Sequence, residues 1–265
     1  MCETCGCGNK DEYRIVDPGS GEYRHDHNHM VHSHSHIHDS DHDHSHDHTH
    51  HERIDLNVDI LLENNHAAAL NRRFLEGRKV LCLNMVSSPG SGKTTILEKI
   101  ISLLKSERKI YVIEGDQQTS MDADRIEKTG VPAIQINTGS GCHLDAKMID
   151  AALKKMDIDA NSILFIENVG NLVCPAMFDL GETRRVLVMS VTEGEDKPLK
   201  YPNMFETSHL CIINKTDLLP YVDFREDEFF KNALHINPHL ELITLSARSG
   251  EGMNRLKDWI TGLFF

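Results

Sequence analysis

Three cysteines, Cys2, Cys5 and Cys7, fall within the first seven residues, and thirteen of the eighteen histidines lie between His25 and His51. Thiolate and imidazole are the side chains that hold borderline-soft transition metals such as nickel, zinc and copper. The Cys2-x-x-Cys5 spacing lets two sulfurs close on one ion, and Gly6 lets the backbone fold so that Cys7 joins them. The terminal amine or a backbone nitrogen would add a fourth donor, a set that suits square-planar Ni(II). The histidines are His25, His27, His29, His32, His34, His36, His38, His42, His44, His46, His48, His50 and His51, threaded with Asp and Ser. Many weak imidazole sites imply storage of nickel or a similar ion rather than one defined geometry.

A second chemistry starts at Ser87-Ser88-Pro89-Gly90-Ser91-Gly92-Lys93-Thr94-Thr95, between an apolar run and a helical pattern. Backbone N–H groups of such a loop cradle phosphate at the start of the next helix, whose dipole favours negative charge. Lys93 reaches the β- and γ-phosphates, and the Thr94 hydroxyl takes Mg²⁺. Ser87 stands where the G-x-x-x-x-G-K-[ST] pattern has glycine, so the strand before and the helix after carry the reading. Asn214-Lys215-Thr216-Asp217 ends a later apolar run. Asp217 can accept both the N1–H and the exocyclic amine of guanine, a donor pair that adenine lacks, while Lys215 lies along the base. Ser246-Ala247-Arg248 resembles the loop that completes the guanine pocket of GTPases. The expected nucleotides are GTP and GDP.

Two carboxylates can complete a magnesium site. Asp116 closes Glu114-Gly115-Asp116, and Glu167 opens Glu167-Asn168-Val169-Gly170, which resembles the D-x-x-G switch of GTPases with Glu for Asp. The longer side chain leaves room for action through a water, and the Gly170 N–H can sense the γ-phosphate. Lys93, Asp116 and Glu167 are the candidate catalytic groups. No glutamine stands at an obvious water-positioning place, so slow intrinsic turnover is expected.

Cys142-His143 and Cys174-Pro175 each follow a strand end, so all three ligands can face the nucleotide side. Three ligands fall short of a closed tetrahedral set, and a symmetric pair of subunits would supply enough. Cys174 lies four residues past Gly170, which gives γ-phosphate loss a route to the ligand geometry. Cys82 and Cys211 sit inside apolar runs and are expected in the core.

The chain of 265 residues has a net charge of −13. Residues 1–55 hold twelve Asp/Glu against four Lys/Arg, which leaves about −8 there. That segment has no continuous apolar pattern and cannot offset the entropy of ordering itself. The expected organisation is a largely disordered metal-binding arm, residues 1–52, and a GTPase (G) domain, residues 53–265. No apolar stretch is long enough to span a membrane and no signal segment opens the chain, so a cytoplasmic location with reduced thiols is expected. An acidic balance without a basic stripe excludes nucleic acid as the expected partner.

A helix is predicted from about Leu56 to Glu76, on a stripe of Ile60, Leu61, Ala67, Leu70 and Phe74. Strands are predicted at 80–86, 109–114, 133–137, 162–167, 185–191, 209–214 and 241–245, with helices at 94–105, 121–129, 144–156 and 252–263. This alternation predicts an α/β fold, a mostly parallel sheet covered by helices, with ligands at the carboxyl ends of the strands.

With Gly141-Cys-His-Leu-Asp145, Glu167–Ala176 and Thr192-Glu-Gly-Glu-Asp-Lys-Pro198, these motifs give the chain a resemblance to the HypB family. These are the hydrogenase nickel-incorporation GTPases of the SIMIBI class of P-loop NTPases. The resemblance covers nearly the whole chain. It implies nickel delivery to the large-subunit precursor of [NiFe]-hydrogenase, a homodimer promoted by GTP and metal, and the metallochaperone HypA as a partner. It further implies tight nickel binding at Cys2, Cys5 and Cys7, and a nickel or zinc site at Cys142, His143 and Cys174. The histidine tract varies in such proteins and adds storage. The urease accessory GTPases, the UreG family, would carry Cys-Pro-His where this chain has Cys174-Pro175-Ala176.

Overall fold

The computed structural model describes residues 14–16, 49–117, 121–139 and 141–264. Cys2, Cys5, Cys7 and the histidines from His25 to His48 lie outside the described residues, while His50 and His51 fall within the first helix.

The elements run β1 (Arg14–Val16), α1 (Thr49–Gly77), β2 (Leu81–Ser87), α2 (Lys93–Leu104), β3 (Ile110–Asp116), α3 (Met121–Glu127), β4 (Ala133–Asn137), α4 (Ala146–Leu153) and β5 (Ile163–Glu167). They continue with α5 (Cys174–Met177), β6 (Arg184–Ser190), α6 (Lys197–Lys200), α7 (Pro202–Glu206), β7 (Leu210–Asn214), a 3₁₀ turn (Thr216–Tyr221), α8 (Glu226–Ile236), β8 (Glu241–Thr244) and α9 (Met253–Gly262). The sheet order is β1-β4-β3-β5-β2-β6-β7-β8. Seven strands are parallel, and β1 pairs antiparallel with β4 at the edge.

Both sheet faces are covered, so the strands read as continuous apolar runs whose alternate residues enter different cores. In β2, Leu81, Leu83 and Met85 join one core with Ile96, Leu97 and Ile100 of α2 and Leu256 and Ile260 of α9. Cys82 points the other way, among Ile149 and Leu153 of α4 and Leu75 of α1. On that same opposite face of β6 and β7, Leu187, Cys211 and Ile213 pack against Met204, Phe205 and Phe229. Burial pushes the thiols of Cys82 and Cys211 up, so these two are inert core residues, as the sequence predicts.

Helices α5, α6, α7 and α8 are not among those predicted, and β1 and α1 depart from expectation. Arg14–Val16 forms a strand inside the stretch assigned to the arm. Helix α1 starts at Thr49, ahead of the predicted Leu56, and buries a different face. Leu70 and Phe74 are exposed, whereas Asn64, Ala68, Asn71 and Leu75 are buried. The apolar stripe misleads because both asparagines find backbone partners, which removes the cost of burying their amides. No helix among the described residues is long and apolar enough to cross a membrane.

One buried ion pair ties the loop after α5 to β6. Arg185 uses all five of its N–H donors, on Glu182 Oε1 (3.1 and 2.9 Å), the carbonyls of Ala176 (3.1 Å) and Phe178 (2.9 Å), and Thr207 Oγ1 (2.8 Å). Replacing Arg185 with methionine leaves the Glu182 carboxylate buried without its partner, at a cost of about 3–5 kcal/mol. Calorimetry should show Tm lower by roughly 6–20 °C. An unchanged Tm would mean that the ion pair contributes nothing to stability.

Candidate functional site

The phosphate loop joins β2 to α2 at the carboxyl edge of the sheet. Gly92, the cap of α2, sits at φ +96°, and a Cβ there would overlap the Asn214 amide. Only glycine fits both the dihedral and the gap. Asn214 spans the two halves of the nucleotide pocket. Its Nδ2 donates to Ser91 O at 2.9 Å, and its Oδ1 accepts from the Ala247 N–H at 3.1 Å. Lys215 Nζ donates to Gly90 O at 2.6 Å, and Ser246 Oγ donates to Asp217 Oδ1 at 2.6 Å. The structure therefore brings Asn214, Lys215, Asp217, Ser246 and Ala247 together beside the loop. Arg248 is exposed, and the Thr95 hydroxyl accepts from Arg125 Nη2 at 3.0 Å.

The carboxylates lie on the other side of the loop. Thr94 Oγ1 donates to Glu167 Oε1 at 2.6 Å, and Lys93 Nζ is 3.5 Å from the same oxygen. Burial pushes the Glu167 carboxyl up, opposed by the Lys93 charge and the Thr94 hydroxyl. Asp116 closes β3, two residues beyond Glu114 and so on the same sheet face. Gly170 lies against the loop: a Cβ there would come 3.1 Å from Pro89 Cα. Ser88 Oγ donates to Glu193 Oε2, which brings the segment after β6 to the same edge.

Among the described residues, the buried side-chain polar atoms without a partner are Ser91 Oγ, Glu114 Oε2 and Glu167 Oε2. A phosphate-loop hydroxyl and carboxylate oxygens are the hard oxygen atoms that phosphate and Mg²⁺ would satisfy, so the residues fit that ion. Glu114 is the group that sequence reading missed. It is the register partner of Glu167 on the adjacent strand. Burial, with the charges of Glu167, Asp116 and Asp122, pushes its carboxyl up to about 9 against the pull of Lys93. Strand alternation was the available signal, since it puts Glu114 and Asp116 on one face.

The ligand atoms of Cys142, His143 and Cys174 lie within 4.8 Å of one another. The two sulfurs are 3.0 Å apart, too far for a disulfide at about 2.05 Å. His143 Nδ1 is 3.7 Å from Cys142 Sγ, and its ring packs on Phe178 with centroids 4.0 Å apart. Burial lowers the His143 pKa, which favours the neutral imidazole that binds metal. The segment after Glu167 is bonded to Cys142 itself and to the residue that follows His143. Asn168 Oδ1 accepts from the Leu144 N–H at 3.2 Å, and Asn171 Nδ2 donates to Cys142 O at 3.4 Å.

This geometry can be set against known proteins. The nucleotide-binding domain described as CobW/HypB/UreG matches residues 81–244. The hydrogenase maturation factor HypB of Escherichia coli (strain K12) is 56% identical over 207 residues, 78% of this chain and 71% of that protein. The crystal structure of HypB from Archaeoglobus fulgidus superposes with a TM-score of 0.72 at 38% identity, covering 77% of this chain and 100% of that one. The chain belongs to the HypB family. HypB from Helicobacter pylori, solved in complex with nickel, also superposes with a TM-score of 0.72 at 37% identity, over 76% of this chain and 94% of that one. The asparagines that follow Glu167 bond that segment to the Cys142 limb, a link that the sequence did not disclose.

Proposed function

We propose that the chain is a GTP-hydrolysing nickel metallochaperone that inserts nickel during maturation of [NiFe]-hydrogenase. The observation that carries this reading is a three-ligand Cys/His cluster hydrogen-bonded through Asn168 and Asn171 to the segment that follows the buried Glu167. The nickel complex of the Helicobacter pylori relative, and the role named for the Escherichia coli one, support it.

Lys93 rests on Glu167 and is placed to exchange that carboxylate for the β- and γ-phosphates. Thr94, Asp116 and Glu167 would hold Mg²⁺, which supplies charge neutralisation on the phosphate oxygens when bound. The buried Asn214 and Ser246 hold Asp217 and the loop ready for guanine. Loss of the γ-phosphate at the Gly170 N–H would release the segment bearing Cys174, and with it the nickel. In this reading Cys142, His143 and Cys174 hold nickel or zinc, completed across a homodimer that GTP and metal promote. Cys2, Cys5 and Cys7 bind nickel tightly, the histidine tract stores it, HypA is the partner chaperone and the hydrogenase large-subunit precursor is the recipient.

Nickel release to a colorimetric chelator tests the reading, run with GDP, with GTP and without nucleotide. The wild-type rate should change at least about tenfold between nucleotide states, and Lys93→Ala should abolish that change. A rate indifferent to nucleotide, with many ions held per chain, would replace metallochaperone by storage protein.

A further inference from the structure

Helix α1 touches both limbs that carry the domain's metal ligands. Ala146, three residues beyond His143, is held at both of its backbone polar groups. Its N–H donates to Asn64 Oδ1 at 2.9 Å, and its carbonyl accepts from Asn71 Nδ2 at 2.8 Å. The same two asparagines reach the limb beyond Cys174. Asn64 Nδ2 donates to Asp179 O at 2.8 Å, and Asn71 Nδ2 to Leu180 O at 3.0 Å. Arg72 Nη2 donates to both oxygens of the Asp179 carboxylate, at 2.7 and 2.8 Å. Gly181, at φ +91°, lies so close to α1 that a Cβ would overlap the Ala68 carbonyl and Asn71 Cβ. Phe178, which stacks on His143, directly precedes Asp179.

Asn64 and Asn71 are seven residues apart, two turns along one helix face. They are only 5% and 2% exposed, so losing either one strands backbone groups away from water. Asparagine is a weak helix former, and an apolar residue would serve if α1 only needed to bury a face. What the amides add is a fixed distance between two segments that are otherwise separate in the chain.

We propose that Asn64 and Asn71 are positioning residues of the Cys142/His143/Cys174 site, setting the separation of its two ligand-bearing limbs from the helix that follows the histidine tract. This inference rests on the reading that those three residues bind metal. Partners of this kind, one bond removed from the ligands, typically set metal affinity by ten- to a hundredfold.

The test uses the full chain with Cys2, Cys5 and Cys7 changed to serine, so that thiolate-to-nickel absorption reports the domain site. Nickel is titrated against a competing chelator, and the affinity for a fluorescent GDP analogue is measured on the same samples. Asn64→Ala and Asn71→Ala should weaken nickel binding by about ten- to a hundredfold and shift the absorption band, with GDP affinity within about twofold of the parent. Asn64→Asp keeps the acceptor for Ala146 but sets a carboxylate against the Asp179 carbonyl, and should weaken nickel at least as much as Asn64→Ala; Asn71→Ala carries the test if Asn64→Ala does not fold. Variants that bind GDP normally and show the parent's nickel affinity and band would overturn the proposal. A parent with no thiolate band would overturn the metal-site reading and this inference with it, an outcome distinct from a parent that binds and variants that do not differ.

Discussion

Asp217→Asn should lower the affinity for GTP and GDP by about 10²- to 10⁴-fold and confer binding of xanthine nucleotides. Guanine offers Asp217 two donors, and a hydrogen bond to a charged acceptor contributes roughly 1.5–3 kcal/mol. Losing both costs about 3–6 kcal/mol, at about 1.4 kcal/mol per tenfold. The asparagine amide would face the guanine donors with a donor of its own, whereas xanthine presents a carbonyl there. Ser246 fixes the carboxylate at 2.6 Å, and the amide oxygen can accept that same bond, so the pocket should survive the substitution. Titration with fluorescent GDP and xanthosine diphosphate reads both effects. An unchanged preference would remove Asp217 from base recognition and the guanine assignment with it.

The second large effect is expected from Cys142→Ala with Cys174→Ala. The two sulfurs are 3.0 Å apart and supply two of the three clustered ligands. Removing them should weaken nickel at the domain by about 10³-fold or more, since partners one bond removed from the ligands already set metal affinity by about ten- to a hundredfold. With Cys2, Cys5 and Cys7 already serine, the thiolate-to-nickel band should vanish. Cys82 and Cys211 cannot replace them, because both are fully buried inside strands. With Cys2, Cys5 and Cys7 intact, the double variant should release its remaining nickel at one rate in GDP and GTP. A band that persists would mean that nickel is held elsewhere.

What the sequence made legible has a physical pattern. The seven parallel strands stood out because both sheet faces are covered, which turns each strand into an unbroken apolar run such as Leu210–Asn214. The phosphate loop, the guanine motif and the Cys142/His143/Cys174 set were legible because each falls where a strand meets a loop. The short helices α5, α6 and α7 were not, since four or five residues cannot display a period of 3.6. The buried face of α1 was misread because hydropathy cannot foresee that Asn64 and Asn71 are satisfied by distant carbonyls. Glu114 was passed over because a buried carboxylate declares itself only when its register partner, Glu167, is known. Local periodicity thus gives the frame, while long-range partners decide which polar residues belong inside it.

The edge strand β1 sets a tether length for the proposed amino-terminal metal site. It runs antiparallel to β4 with Arg14 opposite Asn137, so β1 begins at the carboxyl edge of the sheet. Five residues further along, past Asn137, stands Cys142. Cys7 is seven residues back from Arg14, and an extended chain spans at most about 3.5 Å per residue, so its contour cannot exceed about 25 Å. If Cys2, Cys5 and Cys7 take up nickel as proposed, that ion stays within this tether of Arg14, and its encounters with the rim that leads into Cys142 do not depend on protein concentration.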